Sequence, residues 1–308
     1  MKKRESKQIT TEELLKKYRK KYRTVGCILV AFVLITALQL YFNFDYLVFK
    51  HFITGGYIYT ETLDELYKEY LDKDPGGRYF NDFDNLVIAI TTQRIRAQKG
   101  DKYTYLYTPK RLQESLQYDK EEAEQSEIKI LSDSTIYLKL TNFTIYTQRF
   151  MEENLEKLGS RPNIIIDLQG NRGGEINVMA NISSMFLPKK AVIATDHYRV
   201  MDHVFRSNKD QPLKYNKIII LQDENSASAA ENMIAALNDN LGNVELIGTE
   251  TFGKGIGQFT VPLRRGYAVK ATTIKWMTPA GINIQGDGID PEVEYTGDDI
   301  IQFALDRI

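Results

Sequence analysis

The sequence predicts an α/β protein preceded by one membrane-spanning helix, and three observations carry that expectation. Residues 163–168 (NIIIDL) and 217–222 (KIIILQ) are short continuous apolar runs, as in strands buried on both faces. Each is followed by a turn of small residues and then an amphipathic helix, and repeated strand–turn–helix units build α/β cores. Residues 24–44 (TVGCILVAFVLITALQLYFNF) carry no charge, close to the roughly 20 apolar residues that span a bilayer.

The elements follow in chain order. Residues 1–23 form a basic tail containing MKKRESK and KKYRKKYR, although the 308-residue chain has a net charge of only −1. Nothing global therefore points to nucleic acid. Residues 24–44 are expected to be an uncleaved transmembrane signal anchor. A cleaved signal peptide has a shorter apolar region and a small-residue cleavage site, whereas large residues follow here. Tyr41, Phe42, Phe44 and Tyr46 are expected at the far interface as an aromatic anchor. Basic residues before the span and acidic ones after it place the N-terminus in the cytoplasm and residues 45–308 outside it, as a single-pass protein of the cell membrane.

Residues 45–127 read as a helical segment and linker. ETLDELYKEYLDKD (61–74) puts Leu63, Leu66, Tyr67, Tyr70 and Leu71 on one helical face, and PGG (75–77) is a turn. FDNLVIAITTQRIRA is a second helix with a stripe of Phe83, Leu86, Val87, Ile90 and Ile95. GDKYTYLYTPKRLQE reads as a loop, and the charged 119–127 as a solvated linker. Residues 128–308 form the core. STIYLKLTNF alternates like a strand, TQRFMEENLEKL is an amphipathic helix, and EINVMANISSMFL and SAAENMIAALNDN are the helices after the two apolar runs. NVELIGTET, GQFTVPL and GYAVKATTIKWMTP read as strands.

Composition removes some chemistries. One cysteine, Cys27, allows no intrachain disulfide, and with three histidines it argues against a His/Cys zinc site. No cofactor or metal is expected. Three stretches carry the remaining signal. In DLQGNRGGEINVM, Gly173 and Gly174 let backbone approach a substrate carbonyl at a helix N-terminus, where unpaired N–H groups can hold an oxyanion. Taken alone, the pair reads as an ordinary turn. In NSASAAE, a serine at a strand-to-helix turn is a candidate nucleophile or a simple N-cap. In TETFGKGIGQF, Lys254 lies between Gly253 and Gly255; the P-loop pattern requires Ser or Thr after the lysine, so nucleotide binding is rejected.

The order and spacing of these stretches resemble the C-terminal processing peptidases, also called tail-specific proteases. The resemblance covers roughly residues 61–115 and 132–295. IIIDLQGNRGG resembles the family's strand-and-glycine turn, SASAAEN its nucleophile motif, GTETFGKGIGQ its lysine motif, and IKWMTPAGINIQGDGIDPEVE its closing strand and turn. GDKYTYLYTPKRLQE resembles the segment before the recognition domain. The resemblance implies a crotonase/ClpP-like protease core and a serine–lysine dyad with a nearby glutamine. Alignment on Glu231 makes Ser228 the nucleophile, with Ser226 the lower-placed candidate; Lys254, 26 residues on, is the base, and Gln258 orients it. The oxyanion is expected on the amides of Gly174 (or Gly173) and Ala229. A lysine near pKa 10.4 is a base at neutral pH only if burial lowers it toward roughly 7–8.

Two features depart from the family pattern. Gln169 stands where the family has arginine, and only about twenty residues separate Gln113 from Ser134, too few for a PDZ domain. Substrate choice is therefore expected to rest on the core cleft, the helical segment or a regulatory partner. The expected function is a membrane-anchored serine endopeptidase acting on extracytoplasmic proteins or peptides. The alternative is a catalytically silent or partner-gated module that binds peptide or another ligand on the same fold; retention of Ser228, Lys254 and Gln258 argues against it.

Overall fold

The computed structural model describes residues 10–61, 83–99 and 101–308. Thr10 caps the first helix, Thr11–Phe42, by accepting from the Glu13 amide while Glu13 reaches back to the Thr10 N–H. This helix runs unbroken through the basic stretch into the apolar one, so the expected border at residue 24 is a change of composition, not of conformation. It is long and apolar enough to cross a membrane, with a mean hydropathy of 2.4 over a window that no part of the protein buries.

A break at Asn43 starts the helix Phe44–Gly56, which buries Tyr46, Phe49 and Ile53. Their spacing puts them on one helical face, and that face packs on Leu263, Val269 and Ala271 of the core region. Tyr46 is only 2% exposed, so the expected interfacial role for it is corrected. Its apolar neighbours one and two turns on continue a face that a sheet covers.

The helix Phe83–Lys99 forms as expected. It turns Ile88 and Ile95 inward and leaves Ile90 exposed, so of the expected stripe Ile95 is buried and Ile90 is not, while the side chains of Phe83, Leu86 and Val87 lie outside those described. The expected helix over 61–74 and the turn at 75–77 lie outside the described residues, Glu61 apart. The expected loop at 100–114, described from residue 101, contains a strand, β1 (Tyr105–Tyr107), and the start of a helix, Pro109–Ala123. Thr108 caps that helix and Pro109 occupies its first turn, where the missing N–H costs nothing. The expected linker at 119–127 is the end of this helix and the approach to the next strand. Its charges form i,i+4 pairs such as Lys120–Glu124 along a helix rather than a solvated coil.

The core holds two sheets. The larger contains β2 (Glu127–Ile130), β3 (Thr135–Lys139), β4 (Asn163–Asp167), β7 (Lys217–Gln222), β8 (Val244–Gly248) and β11 (Val293–Glu294), in the order β11–β8–β7–β4–β3–β2. All its neighbours are parallel except β2, which runs antiparallel to β3. Alternate residues face opposite layers. Ile164, Ile166, Ile218 and Ile220 join the helices Ile145–Glu153, Ile176–Ser183 and Ala229–Asn240. Ile165, Ile219 and Leu221 pack instead on the C-terminal helix Ile300–Leu305. Burial on both faces explains the continuous apolar runs, and β3 is buried from Thr135 to Leu138 for the same reason.

The second sheet contains β1, β5 (Val192–His197), β6 (Asp202–Arg206), β9 (Ile256–Pro262) and β10 (Ala268–Met277). Its order is β1–β10–β5–β6, with β9 also on β10. The β5–β6 hairpin has no counterpart among the expected elements. Residues 113–134 hold the rest of the helix Pro109–Ala123, β2 and the turn into β3.

Candidate active site

β4 and β7 are direct neighbours, with Asp167 opposite Leu221, so the turns that follow them leave the sheet side by side at its carboxyl edge. That edge is where parallel sheets present their functional loops. Asn171 locks the two turns together. Its buried side-chain amide donates to Leu140 O at 2.9 Å, its Oδ1 accepts from the Gly173 amide at 2.8 Å, and its carbonyl accepts from Ala227 N at 2.9 Å. Gly173 (φ +98°) presses on the second turn: a Cβ there would lie 2.7 Å from Ala227 O and 2.9 Å from Ala229 N. Only glycine fits.

The two serines of the second turn differ in every respect. Ser226 is fully buried; its hydroxyl donates to Leu168 O at 2.8 Å and accepts from Asp223 N at 3.0 Å. Ser228 is half-buried and holds φ +59° and ψ −114°, a region that L residues occupy only under strain. Its amide donates to Glu231 Oε2 at 2.6 Å. The helix Ala229–Asn240 begins immediately after it.

Lys254 enters on the segment between β8 and β9 and meets this turn through Glu231. That carboxylate is 0% exposed. It accepts from Ser228 N and Lys254 N (2.9 Å) on Oε2, and from Gly253 N and the Thr251 hydroxyl (both 2.6 Å) on Oε1. One buried carboxylate thus ties the backbones of the serine and the lysine across 26 residues of sequence. On the other side, Trp276 Nε1 donates to Lys254 O at 2.8 Å. The glycines beside the lysine are required: at Gly255 a Cβ would lie 2.6 Å from Gln285 N, and at Gly253 (φ +79°) 2.9 Å from Gly288 N.

Burial brings the Lys254 amine down to about 8, Lys270 adds repulsion, and Glu231 opposes the shift. Its Nζ lies 4.5 Å from the centre of the Tyr103 ring. Gln258, on β9, has its side-chain Nε2 buried without a hydrogen-bond partner. The Gly173 amide is engaged by Asn171. For the amides of Gly174 and Ala229 no partner is found among the described residues. Among the described residues no group of three His, Cys, Asp or Glu could hold a metal ion.

Residues 134–295 match the model of peptidase family S41, which is more than half of the chain. The chain belongs to peptidase family S41. Within the family it is 34% identical over 161 residues to the carboxy-terminal processing protease CtpA of Bacillus subtilis, covering 51% of this chain and 34% of that one. The chain spans about a third of the length of the curated relatives it matches. Two solved structures share the fold at 16% identity. One is a lipoprotein from Streptococcus agalactiae (TM-score 0.64, covering 84% of this chain and 93% of that one). The other is a photosystem II D1 C-terminal processing protease (TM-score 0.61, covering 82% and 92%). The core here therefore has the S41 peptidase fold, preceded by an apolar N-terminal helix.

In the sequence Glu231 stands out only as an alignment landmark. Its signal was legible: Ser-x-x-Glu at a helix start is a capping-box pattern. Asp101 and Tyr103 fall in the segment whose sequence predicts a loop. Their approach to Lys254 has no local signal, because it spans about 150 residues of chain.

Proposed function

We propose that this chain is a membrane-anchored serine endopeptidase of the C-terminal processing type, with Ser228 as nucleophile and Lys254 as its base. The observation that carries the reading is the Glu231 carboxylate, which holds the Ser228 and Lys254 backbones together beside an amine lowered to about 8. A neutral Lys254 takes the Ser228 proton as Oγ attacks the scissile carbonyl, and the oxyanion falls to the Gly174 and Ala229 amides. The resulting ammonium returns the proton to the leaving amine. Water, deprotonated in turn by Lys254, then hydrolyses the acyl-enzyme. Gln258 orients the amine without restoring its charge. The substrates are extracytoplasmic proteins or peptides, the helix Thr11–Phe42 being the anchor. With no room for a PDZ domain between Gln113 and Ser134, selection rests on the core cleft, the helical segment or a partner.

The test is fluorophosphonate labelling of the full chain in detergent, located by mass spectrometry and followed against pH. Label is expected on Ser228, at a rate that rises with pH and levels off above about 8, because the reactive enzyme carries the deprotonated amine. Ser228→Ala and Lys254→Arg are both expected to be inactive, since a guanidinium cannot be deprotonated. Lys254→Arg retaining more than about a tenth of wild-type kcat/KM, a loss under about 1.4 kcal/mol, sinks the dyad.

A further inference from the structure

The loop 101–104 precedes the protease core in sequence yet reaches its base. Asp101 is 5% exposed, and its carboxylate is filled by four donors. Oδ2 accepts from the Tyr57 hydroxyl (3.0 Å) and the Thr104 hydroxyl (2.7 Å), and Oδ1 from Tyr103 N and the Thr272 hydroxyl (both 3.0 Å). Thr104 Oγ1 also accepts from Thr272 N at 3.0 Å. Thr272 stands opposite Gln258 in the β9–β10 pairing. The loop is thereby pinned beside Gln258, and Tyr103 is delivered to Lys254 with its ring centre 4.5 Å from Nζ. That distance is well inside the roughly 6 Å over which a ring face attracts a cation.

The charged groups around the amine sharpen the point. Lys270 on β10 and Lys102 on the loop repel a charged Lys254, while Glu231 and Asp101 attract it. Both carboxylates, however, already accept four hydrogen bonds from other groups. Neither forms an ion pair with Nζ among the described residues. Beside the neutral Gln258, the Tyr103 face is the attractive group within direct reach among the described residues. A carboxylate in its place would lock the lysine charged; open water would do the same. A ring face steadies the ammonium weakly while excluding water.

We propose that Tyr103 is a positioning residue for Lys254, its ring face holding the amine in place and stabilising the ammonium that forms when the Ser228 proton arrives. The catalytic consequence rests on the assignment of Lys254 as the base; the ring's effect on the lysine does not.

The experiment separates the two. Full-length protein in detergent is labelled competitively with acetic anhydride across pH, and Lys254 acetylation is read by mass spectrometry to give the amine's titration midpoint. Fluorophosphonate acylation is followed in parallel. Tyr103→Phe keeps the ring face and is expected to keep the wild-type midpoint near 8. Tyr103→Leu keeps an apolar cover without the face and is expected to titrate about half a unit lower or more; Tyr103→Met serves if the leucine variant does not fold. An unchanged midpoint in the leucine or methionine variant overturns the proposal, as does a phenylalanine variant that shifts equally far. Midpoints that move as expected while acylation ignores Lys254 leave the ring's role standing and remove the dyad instead.

Discussion

Ser226 and Ser228 flank a buried alanine, and their hydroxyls serve different ends. Ser226 holds the turn to Leu168 O and Asp223 N, whereas Ser228 stands at a strained positive φ at the head of a helix. The sequence motif contains both serines and ranks them only through the resemblance; burial separates them. Ser226→Ala takes the partner of the half-buried Asp223 amide and leaves Leu168 O with one donor, Asn171 N, instead of two, which costs about 1–3 kcal/mol. The thermal midpoint is expected to fall by at least about 2 °C, while the folded protein still takes fluorophosphonate on Ser228. Loss of labelling in folded Ser226→Ala, with wild-type label found on Ser226, would reverse the assignment.

The helix Phe44–Gly56 shows what changes at the scale of an element. From sequence, residues 41–46 read as the aromatic end of a membrane span. In the structure Tyr46, Phe49 and Ile53 join the core cluster beneath β10. Asp45 Oδ1 accepts from Arg264 N and Nε, both at 3.1 Å, and the Arg264 guanidinium also donates to Tyr41 O. The end of the apolar helix is thus clamped to the turn between β9 and β10, the hairpin that carries Gln258. Asp45 is 5% exposed at its side chain, so removing its partner strands a buried charge. Arg264→Ala is expected to lower the thermal midpoint of the full chain in detergent, and Asp45→Asn in that background to restore part of the loss. Additive losses in the double variant would show that the pair is not coupled.

For the whole molecule, topology decides what the site can reach. The basic residues ahead of the apolar stretch of Thr11–Phe42, set against the acidic residues beyond it, predict a cytoplasmic N-terminus. Protease added to intact cells or spheroplasts is expected to digest residues 45–308 and spare a tag at residue 1. A protected C-terminus with a digested N-terminus would invert the orientation. The contacts of Asp45 and Tyr41 with Arg264 hold the core next to the end of the apolar helix rather than on a free tether.

The sequence by itself determined the α/β class, the two strand–turn–helix units, the apolar helix and the segments that bear Ser228, Lys254 and Gln258. Each of these is a local signal: a run of isoleucines covered on both faces, glycines where no Cβ fits, a serine at a helix start. The tertiary structure alone decided which serine is spared from structural duty and which glycine amide is left unpaired. It also decided that Glu231 binds the two halves of the site, and that Tyr103 faces the lysine. The physical reason is that hydrogen-bond satisfaction and burial are settled between segments. A carboxylate read in isolation is a surface charge until four donors from distant turns converge on it. For the same reason the loop at 101–104 carried no signal of its own: what makes it part of the site is the partner strand β10, which lies more than 150 residues further along the chain.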